Sequence, residues 1–506
     1  MQEGPDKLAT IDAAEGAIPI PPRYWWLKRL SLAGAVLVFL LVGLRLYWGY
    51  EADRRLERAR EEIRAKGLAA TVDEINAGLD AVADENNAAL LIEKAMAQLV
   101  FTSSTGLTID SFLDDPLAYF YDDDVARELL NKNTVVLDLI HQARFKPEVA
   151  WSARLPANPP GALQRNVAKL LWFAGTQQRL THDDRAAVRT IHDGVAFSDS
   201  VAEYSTLVSN MTAWACEGLI LTLVEDLDSS ISAEPAPTLY GLDQPEIRAD
   251  VEALIDALLD ESRMRRTSVD AYHAESLRSF QYIERLDEVG ASAALGSSRW
   301  LDVPFWILAQ PCHVLDAEGA IRLNEVVGIA ASLPDWPSAN ALISPETEEF
   351  SLLTSVRRPL SISSFGSWRR TYRSFTRLLF RMVATRRMAA IALAIRLYQH
   401  DHGARPTTLD ALVPEYFDAL PSDPFDAEGG AIRLGTSSGF AVLYSIGENG
   451  VDDGGTEARR GFRFSGMREG DFVFALEGRE KWRKTRRGLG LGEASEHEDH
   501  EEHRER

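Results

Sequence analysis

Apolar residues recur at every third or fourth position through most of residues 51–367. This spacing places them on one face of an α-helix and is typical of helices that pack on a core. The pattern predicts helices over Leu68–Leu79, Asn86–Val100, Asp123–Ala143, Gly161–Leu180, Asp183–Ser198, Ser205–Leu227, Gln244–Leu259 and Glu261–Val289. Breaks fall in stretches rich in Pro and Gly, at 155–161 and 233–241. We therefore predict a large helical domain over residues 51–367.

An uncharged apolar run extends from Leu30 to Leu44. Its 15 residues are fewer than the roughly 20 that cross the hydrocarbon of a bilayer, but Arg45 lies at its end, where a long basic side chain can reach the headgroups. Aromatic residues typical of membrane interfaces flank the run, and they are Tyr24, Trp25, Trp26, Tyr47, Trp48 and Tyr50. We predict one uncleaved transmembrane helix over residues 28–50, with residues 1–27 on the cytoplasmic side.

Basic residues lie on both sides of the uncharged run from Leu30 to Leu44. Three precede it and, after Arg45 at its end, six follow it, namely Arg23, Lys28, Arg29, then Arg54, Arg55, Arg58, Arg60, Arg64 and Lys66. This bias favours a cytoplasmic location for the part that follows. The later group alternates with acidic residues in i,i+4 pairs, which is typical of a solvated helix that continues out of the bilayer. The C-terminal sequence described below instead indicates an extracytoplasmic location.

The character of the chain changes after residue 367. Residues 368–387 are predicted to form a basic amphipathic stem helix, with apolar residues such as Phe375, Leu379 and Val383 on one face. Its arginines are Arg369, Arg370, Arg373, Arg377, Arg381, Arg386 and Arg387. A stem with one packed and one wet face is the main interpretation, and a helix lying on an anionic membrane surface is the alternative.

Strand signals appear only near the C-terminus. Gly403 and Pro406 end the preceding helix, and runs of β-branched and aromatic residues predict strands over Ala431–Leu434, Phe440–Ser445 and Asp471–Leu476. The G-x-S-x-G pattern at Gly435–Gly439 joins two of these strands, whereas a nucleophile elbow joins a strand to a helix. We therefore predict a hairpin turn there and a small antiparallel sheet packed on the stem helix.

Several short motifs follow one another along the chain after Met388. The set comprises Tyr398, His402-Gly403, Pro406-Thr407, Leu412-Val413-Pro414, Tyr416, Leu420-Pro421, Asp423-Pro424-Phe425, Gly439-Phe440, Leu443–Gly447, Asn449-Gly450 and Gly454-Gly455. In this combination, residues 388–476 resemble the globular domain of the G-type major pseudopilins of type II secretion. The resemblance implies a pilin-like α+β domain over 388–476, an extracytoplasmic location and protein partners in the envelope or a secretion apparatus.

The same resemblance implies a calcium site in the loop before the last strand. The residues at the corresponding positions are Asn449, Asp452, Asp453 and Asp471, and their hard oxygen atoms suit Ca²⁺. A solvated hairpin loop, in which Asp and Gly simply form turns, remains the alternative interpretation. Calcium is the only cofactor that the sequence suggests.

Other groups of reactive residues favour structural roles. His182-Asp183-Asp184 and His192-Asp193 are interpreted as a helix cap and surface residues, because positions ten apart face different sides of a helix. Asp122, Asp123 and Asp124 precede an apolar helix and are expected to cap it. Cys216 and Cys312 are too few for a disulfide framework and lack zinc spacing, although they allow one bridge.

Composition narrows the classes of function. The 54 basic and 76 acidic residues give a formal net charge of −22, so the chain repels phosphate backbones and nucleic acid is not an expected partner. Residues 477–506 form a charged tail that cannot build a core.

Together these features predict a mainly α protein: a transmembrane helix, a large helical domain and a C-terminal α+β pilin-like domain with a small antiparallel sheet. We expect a single-pass protein of the bacterial inner membrane with most of the chain outside the cytoplasm. Its expected role is structural or interaction-based rather than enzymatic. The alternatives are an envelope hydrolase, or a solute-binding or sensor module, with its site in the helical domain.

Overall fold

The computed structural model describes residues 24–114, 123–157, 160–227, 242–289, 302–344, 365–456 and 470–477. Its α-helices are α1 (Trp25–Ala65), α2 (Val72–Asp80), α3 (Ala88–Gln98), α4 (Ile109–Asp114), α5 (Asp123–Lys132), α6 (Thr134–Arg144), α7 (Gly161–Leu180), α8 (Asp184–Ala202), α9 (Leu207–Asp226), α10 (Pro245–Leu259), α11 (Ser262–Val289), α12 (Asp302–Ser332), α13 (Trp336–Ile343) and α14 (Phe365–His402). The strands are β1 (Arg433–Ser437), β2 (Phe440–Ser445) and β3 (Phe472–Ala475). The predicted mainly helical class with a small antiparallel sheet is confirmed.

Apolar periodicity located the starts of α3 and of α7 to α11 to within two residues. Helix α7 begins and ends at the predicted residues, and α8 to α11 begin one or two residues after the predicted starts. Side-chain caps fix two of these starts: Asp183 Oδ1 accepts from the Ala186 N–H at 3.1 Å, and Thr206 Oγ1 accepts from the Ser209 N–H at 3.1 Å. These caps satisfy amides that have no partner inside the helix.

The predicted single helix over 123–143 is wrong, because the chain breaks between α5 and α6 at Asn133. The Asn133 side chain is buried. Its Oδ1 accepts from the Val100 N–H at 2.9 Å, and its Nδ2 donates to the Val100 carbonyl at 2.7 Å. A polar side chain that ties two segments together in this way leaves the apolar periodicity unchanged, so the pattern did not show the break.

Helix α1 is a single 41-residue helix with two different environments. Every residue from Tyr24 to Leu44 is exposed. From Gly49 onward, one face is buried in the core through Ala52, Leu56, Ala59 and Ile63. The chain therefore passes from the apolar stretch into the folded body without a linker.

Two described helices are long and apolar enough to cross a membrane, α1 and α9. The apolar window of α1 is entirely exposed, whereas 67% of the α9 window is buried among other helices of the body. Helix α9 is therefore a core helix, and α1 is the candidate for a single membrane span.

Helix α14 lies at the centre of the fold and does not have the predicted wet face. From Tyr372 to His400 no residue of α14 is exposed, and from Met388 to Leu397 every residue is buried. It packs against α9, α10 and α12 and against the sheet. The predicted boundary between residues 387 and 388 therefore falls inside one continuous core helix.

The sheet is an antiparallel meander in the order β1-β2-β3. Leu443 at its centre pairs with Leu434 of β1 and Phe474 of β3. The β1–β2 connection is a tight turn at Ser438 and Gly439, both with positive φ (53° and 84°), so the predicted hairpin turn is confirmed.

The C-terminal unit, which comprises the end of α14 and the sheet, is fixed to the helical body by several direct contacts. The Trp336 N–H donates to the Pro424 carbonyl at 2.7 Å, and the Ala475 N–H donates to Glu225 Oε1 at 3.2 Å. Arg248 of α10 binds both carboxylate oxygens of Asp401, at 2.8 and 2.9 Å. These contacts make the unit part of the body rather than a tethered module.

Candidate functional site

The four predicted metal ligands lie in one region of the C-terminal unit. Asn449, Asp452 and Asp453 belong to the loop that leaves β2, and Asp471 directly precedes β3. Gly447 fixes the close approach of the two segments, because a Cβ there would lie 2.5 Å from the Gly470 carbonyl oxygen. Its φ of 72° also favours glycine.

Asp471 serves as the internal support of this loop. Its side chain is buried, and its Oδ2 accepts from the Gly455 N–H at 2.7 Å while its Oδ1 accepts from the Asp453 N–H at 3.3 Å. Burial raises the pKa of Asp471, and the two backbone hydrogen bonds oppose that rise. The carboxylate oxygens of Asp471 are therefore directed at the backbone of the loop.

The carboxylate of Asp452 forms an ion pair with Arg433. Its Oδ2 lies 3.1 Å from Arg433 Nε, and its Oδ1 accepts from the Gly454 N–H at 2.9 Å. Arg433 also bonds Asp426 at 2.8 Å, which lowers the pKa of Asp426. Arg433 Nη1 also lies 3.4 Å from Asp423 Oδ2, so its positive charge already compensates three carboxylates beside the loop.

Asn449 and Asp453 are the remaining pair. Asn449 Nδ2 lies 3.4 Å from Asp453 Oδ2, and Asn449 Oδ1 accepts from the Val451 N–H at 3.3 Å. Among the described residues, no three His, Cys, Asp or Glu side chains converge as metal ligands. Calcium binding at these four positions stays a prediction, and the ion would compete with Arg433 for the carboxylate of Asp452.

Asp423, from the Asp-Pro-Phe motif, anchors the irregular connection between α14 and β1. Its side chain is fully buried, and it accepts from the Phe425 N–H at 2.9 Å, the Ser445 hydroxyl at 2.7 Å and the Ile446 N–H at 2.8 Å. Burial raises its pKa, and these hydrogen bonds oppose the rise. Asp423 thus fixes the Pro-rich connection to the end of β2.

A buried ionic cluster, made of Arg386, Glu217 and Asp199, lies deeper in the body. Arg386 Nε lies 2.5 Å from Glu217 Oε1, and Arg386 Nη2 lies 2.6 Å from Asp199 Oδ1. The side chain of Arg386 is fully buried and that of Glu217 is 1% exposed. The cluster joins α8, α9 and α14 at the centre of the fold.

The electrostatics of this cluster depend on burial. Burial raises the pKa of Glu217 to about 7, and Arg386 opposes the rise. Burial by itself lowers the pKa of Arg386, but Glu217 and Asp199 more than offset it and raise the pKa overall. The apolar periodicity did not identify the cluster, although the sequence carries a signal: Arg386 and Arg396 interrupt an otherwise apolar, alanine-rich helix, and unpaired arginines are rarely buried.

The interpretation of His192-Asp193 as surface residues is wrong for Asp193, which belongs to a second buried group of titratable residues. Asp193 is buried, and its carboxylate lies 2.9 Å from both His141 Nδ1 and Arg144 Nη1. Burial raises the pKa of Asp193, against the effect of Arg144. Burial, followed by Arg144, lowers the pKa of His192 to about 4, so that imidazole is neutral at physiological pH.

The other candidate residues occupy separate places. His182 is an exposed turn residue and Asp183 caps α8, as predicted. Asp122 lies outside the described residues, α5 begins at Asp123, and Asp124 pairs with Arg127 at 3.3 Å. Cys216 and Cys312 are both buried and form no disulfide. Burial raises the pKa of the Cys216 thiol to about 12, which disfavours the reactive thiolate.

Three kinds of known protein information were compared with this chain. No family model, no curated protein and no solved structure matches this chain.

Proposed function

We propose that the protein is a membrane-anchored scaffold of the bacterial cell envelope, which presents a pilin-like C-terminal unit to partners in a secretion apparatus. The proposal places the anchor α1 in the inner membrane and the body outside the cytoplasm. The observation that carries it is the continuity of α1, whose first part is entirely exposed and apolar while its last part is buried in the core. A scaffold needs this arrangement, because it holds the body at a fixed height above the bilayer.

The position of α14 supports a single presenting unit rather than a fibre subunit. The resemblance to pseudopilins implies a stem helix that packs against other subunits. Here Arg386 and Arg396 of that helix are buried within their own chain, and Arg396 Nη2 donates to the Val224 carbonyl at 2.8 Å. The surface of α14 is therefore occupied by α8 to α10, and the loop side of the C-terminal unit remains outward.

The loop side offers a defined test position. Val451 is 53% exposed in the segment that leaves β2, and Val135 of α6 is 55% exposed on the helical body. A photo-crosslinking amino acid placed at each position in the full-length protein probes the two surfaces at equal exposure. We expect a crosslink to an envelope or secretion component from position 451 and none from position 135.

Two results would contradict the proposal. A ladder of crosslinked copies of the chain from position 451 would indicate self-assembly into a fibre. Equal or absent crosslinking at both positions in the native host would remove the C-terminal unit as the presenting surface.

A further inference from the structure

The part of α1 that follows the exposed apolar run carries two arginines without a protein partner. Other arginines of this part form ion pairs 2.7–3.2 Å long, namely Arg55–Glu51, Arg60–Glu57 and Arg64–Glu74. Arg54 and Arg58 are exposed, and neither has a hydrogen-bond or ion-pair partner among the residues that the structure describes. These two cations are therefore available to an anionic ligand.

Arg54 and Arg58 share one face of α1 with two exposed tyrosines. Tyr47 and Tyr50 are 66% and 65% exposed, and at 100° per residue the four side chains fall within about 80° of the helix circumference. The buried residues of this part of α1 lie on the opposite side, and they are Ala52, Leu56, Ala59 and Ile63. We call the exposed side the outward face of α1, and its members are Tyr47, Tyr50, Arg54 and Arg58.

The height of the outward face follows from the length of the predicted span. Residues 28–50 form about 34 Å of helix at 1.5 Å per residue, close to the roughly 30 Å of a hydrocarbon core. With the proposed anchor in a bilayer, Tyr50 lies at the edge of that core, where tyrosine is enriched. Arg54 follows about 6 Å further out. The headgroup layer is roughly 5–8 Å thick, so Arg54 lies within it.

Helix geometry directs both arginines toward the bilayer. The Cα–Cβ bonds of a helix tilt toward its N-terminal end, which in α1 is the apolar end. Arg58 lies about 6 Å beyond Arg54, and its long side chain can extend back to the headgroups. Glu61, on the same side of the helix, is about 16 Å from Tyr50 and therefore lies outside the headgroup layer.

We infer that the outward face of α1 is a binding site for anionic lipid, in which Arg54 and Arg58 donate to the phosphodiester of a lipid such as phosphatidylglycerol. Guanidinium groups match phosphate in charge and in geometry. The occupant is a lipid because the face follows directly on the exposed apolar run. The inference rests on the proposed membrane anchor and adds the class of lipid that the anchor selects.

The test uses full-length protein reconstituted in phosphatidylcholine vesicles that contain a trace of spin-labelled phosphatidylglycerol or spin-labelled phosphatidylcholine. The motionally restricted fraction of each label gives the preference of the protein for the anionic lipid. The test variant is Arg54→Gln combined with Arg58→Gln. Arg55→Gln combined with Arg64→Gln is the matched control, because it removes the same charge from the same helix at side chains that are 51% and 47% exposed.

We expect the preference for phosphatidylglycerol to fall by about five-fold or more in the test variant, since one arginine near an anionic surface changes affinity about five-fold. The control should keep the wild-type value. A test variant that floats with the vesicles and keeps the wild-type preference would overturn the inference and leave the anchor intact. An equal fall in the control would also overturn it, because net charge would then set the preference.

Inorganic phosphate, added at constant ionic strength, separates a lipid headgroup from a soluble anion. We expect the wild-type preference to remain. Loss of the preference would overturn the inference, because the outward face would then bind soluble phosphate. Failure of the wild-type protein to float with the vesicles would instead contradict the proposed membrane anchor.

Discussion

The two longest helices, α1 and α14, have environments that are nearly the reverse of those expected for a water-soluble protein. Helix α1 exposes a continuous apolar surface from Leu30 to Leu44, whereas α14 buries charged residues such as Arg386 and Arg396. The difference lies in the partners available to each helix. The proposed partner of α1 is a bilayer, which is a uniform apolar medium, so composition alone predicts this environment. The environment of α14 depends on carboxylates and carbonyls contributed by distant parts of the chain.

The largest expected effect follows from charging α1. Val38→Arg combined with Leu41→Arg places two charges near the centre of the apolar run, at a cost to membrane insertion of about 5–7 kcal/mol. We expect the variant to leave the membrane fraction on alkaline carbonate extraction. Val135→Arg combined with Val208→Arg, at exposed positions of the body, is the matched control and should remain with the membrane. Retention of the α1 variant would show that α1 is not the anchor.

The next effect concerns the buried arginine of α14. Arg386→Met leaves Glu217 and Asp199 without their cation, and breaking a buried ion pair in this way destabilises by about 3–5 kcal/mol. Thermal unfolding in detergent measures the loss. Arg370→Met changes an exposed arginine on the same helix and should alter stability by less than about 0.5 kcal/mol. Equal effects of the two substitutions would place Arg386 outside the core.

A smaller effect appears in the pH dependence of stability. Burial raises the pKa of Glu217 from its ordinary 4.5 to about 7, so the folded state retains a proton that the unfolded state has lost. The contribution of this carboxyl to stability is full below pH 4.5 and falls as the pH rises to 7, by up to about 3 kcal/mol.

Glu217→Gln removes this titration, so the stability of wild type relative to the variant should fall between pH 4.5 and 7. Unfolding by urea at several pH values gives the difference. A difference that stays constant with pH would mean that Glu217 remains ionised throughout this range.

The smallest effect concerns the loop that α14 and the sheet support. If Asn449, Asp452, Asp453 and Asp471 bind calcium, the ion at 100 times its Kd adds about 2.7 kcal/mol to stability. Arg433→Gln should strengthen binding, because it frees Asp452 from its ion pair. Differential scanning calorimetry with calcium or chelator measures this. If calcium leaves the melting temperature unchanged in both the wild type and Arg433→Gln, the predicted calcium site is wrong.

Local signals predicted a large part of the fold. Helix α7 was located at both ends, and β2 was located without error, because glycine, proline and apolar spacing act over short distances. Helix α12 was not predicted. Pro311 lies inside it, and it is packed between α1, α11, α13 and α14, so its apolar residues do not follow a single face.

The candidate site was predictable in position but not in contacts. The carboxylates of the β2–β3 loop were identified from the sequence, whereas the pairing of Asp452 with Arg433 depends on the register of β1 against β2. The cluster of Arg386, Glu217 and Asp199 joins residues that are 169 and 187 positions apart. No periodicity in one sequence carries that information.

The central claim is that a body continuous with α1 stands outside the cytoplasm. Phe145, 64% exposed on the body, gives the most direct test, through labelling of Phe145→Cys by a membrane-impermeant maleimide in intact spheroplasts. The account predicts labelling before permeabilisation, no labelling of the wild-type protein with its buried cysteines, and retention in the membrane fraction. Labelling only after permeabilisation would contradict it and place the body in the cytoplasm.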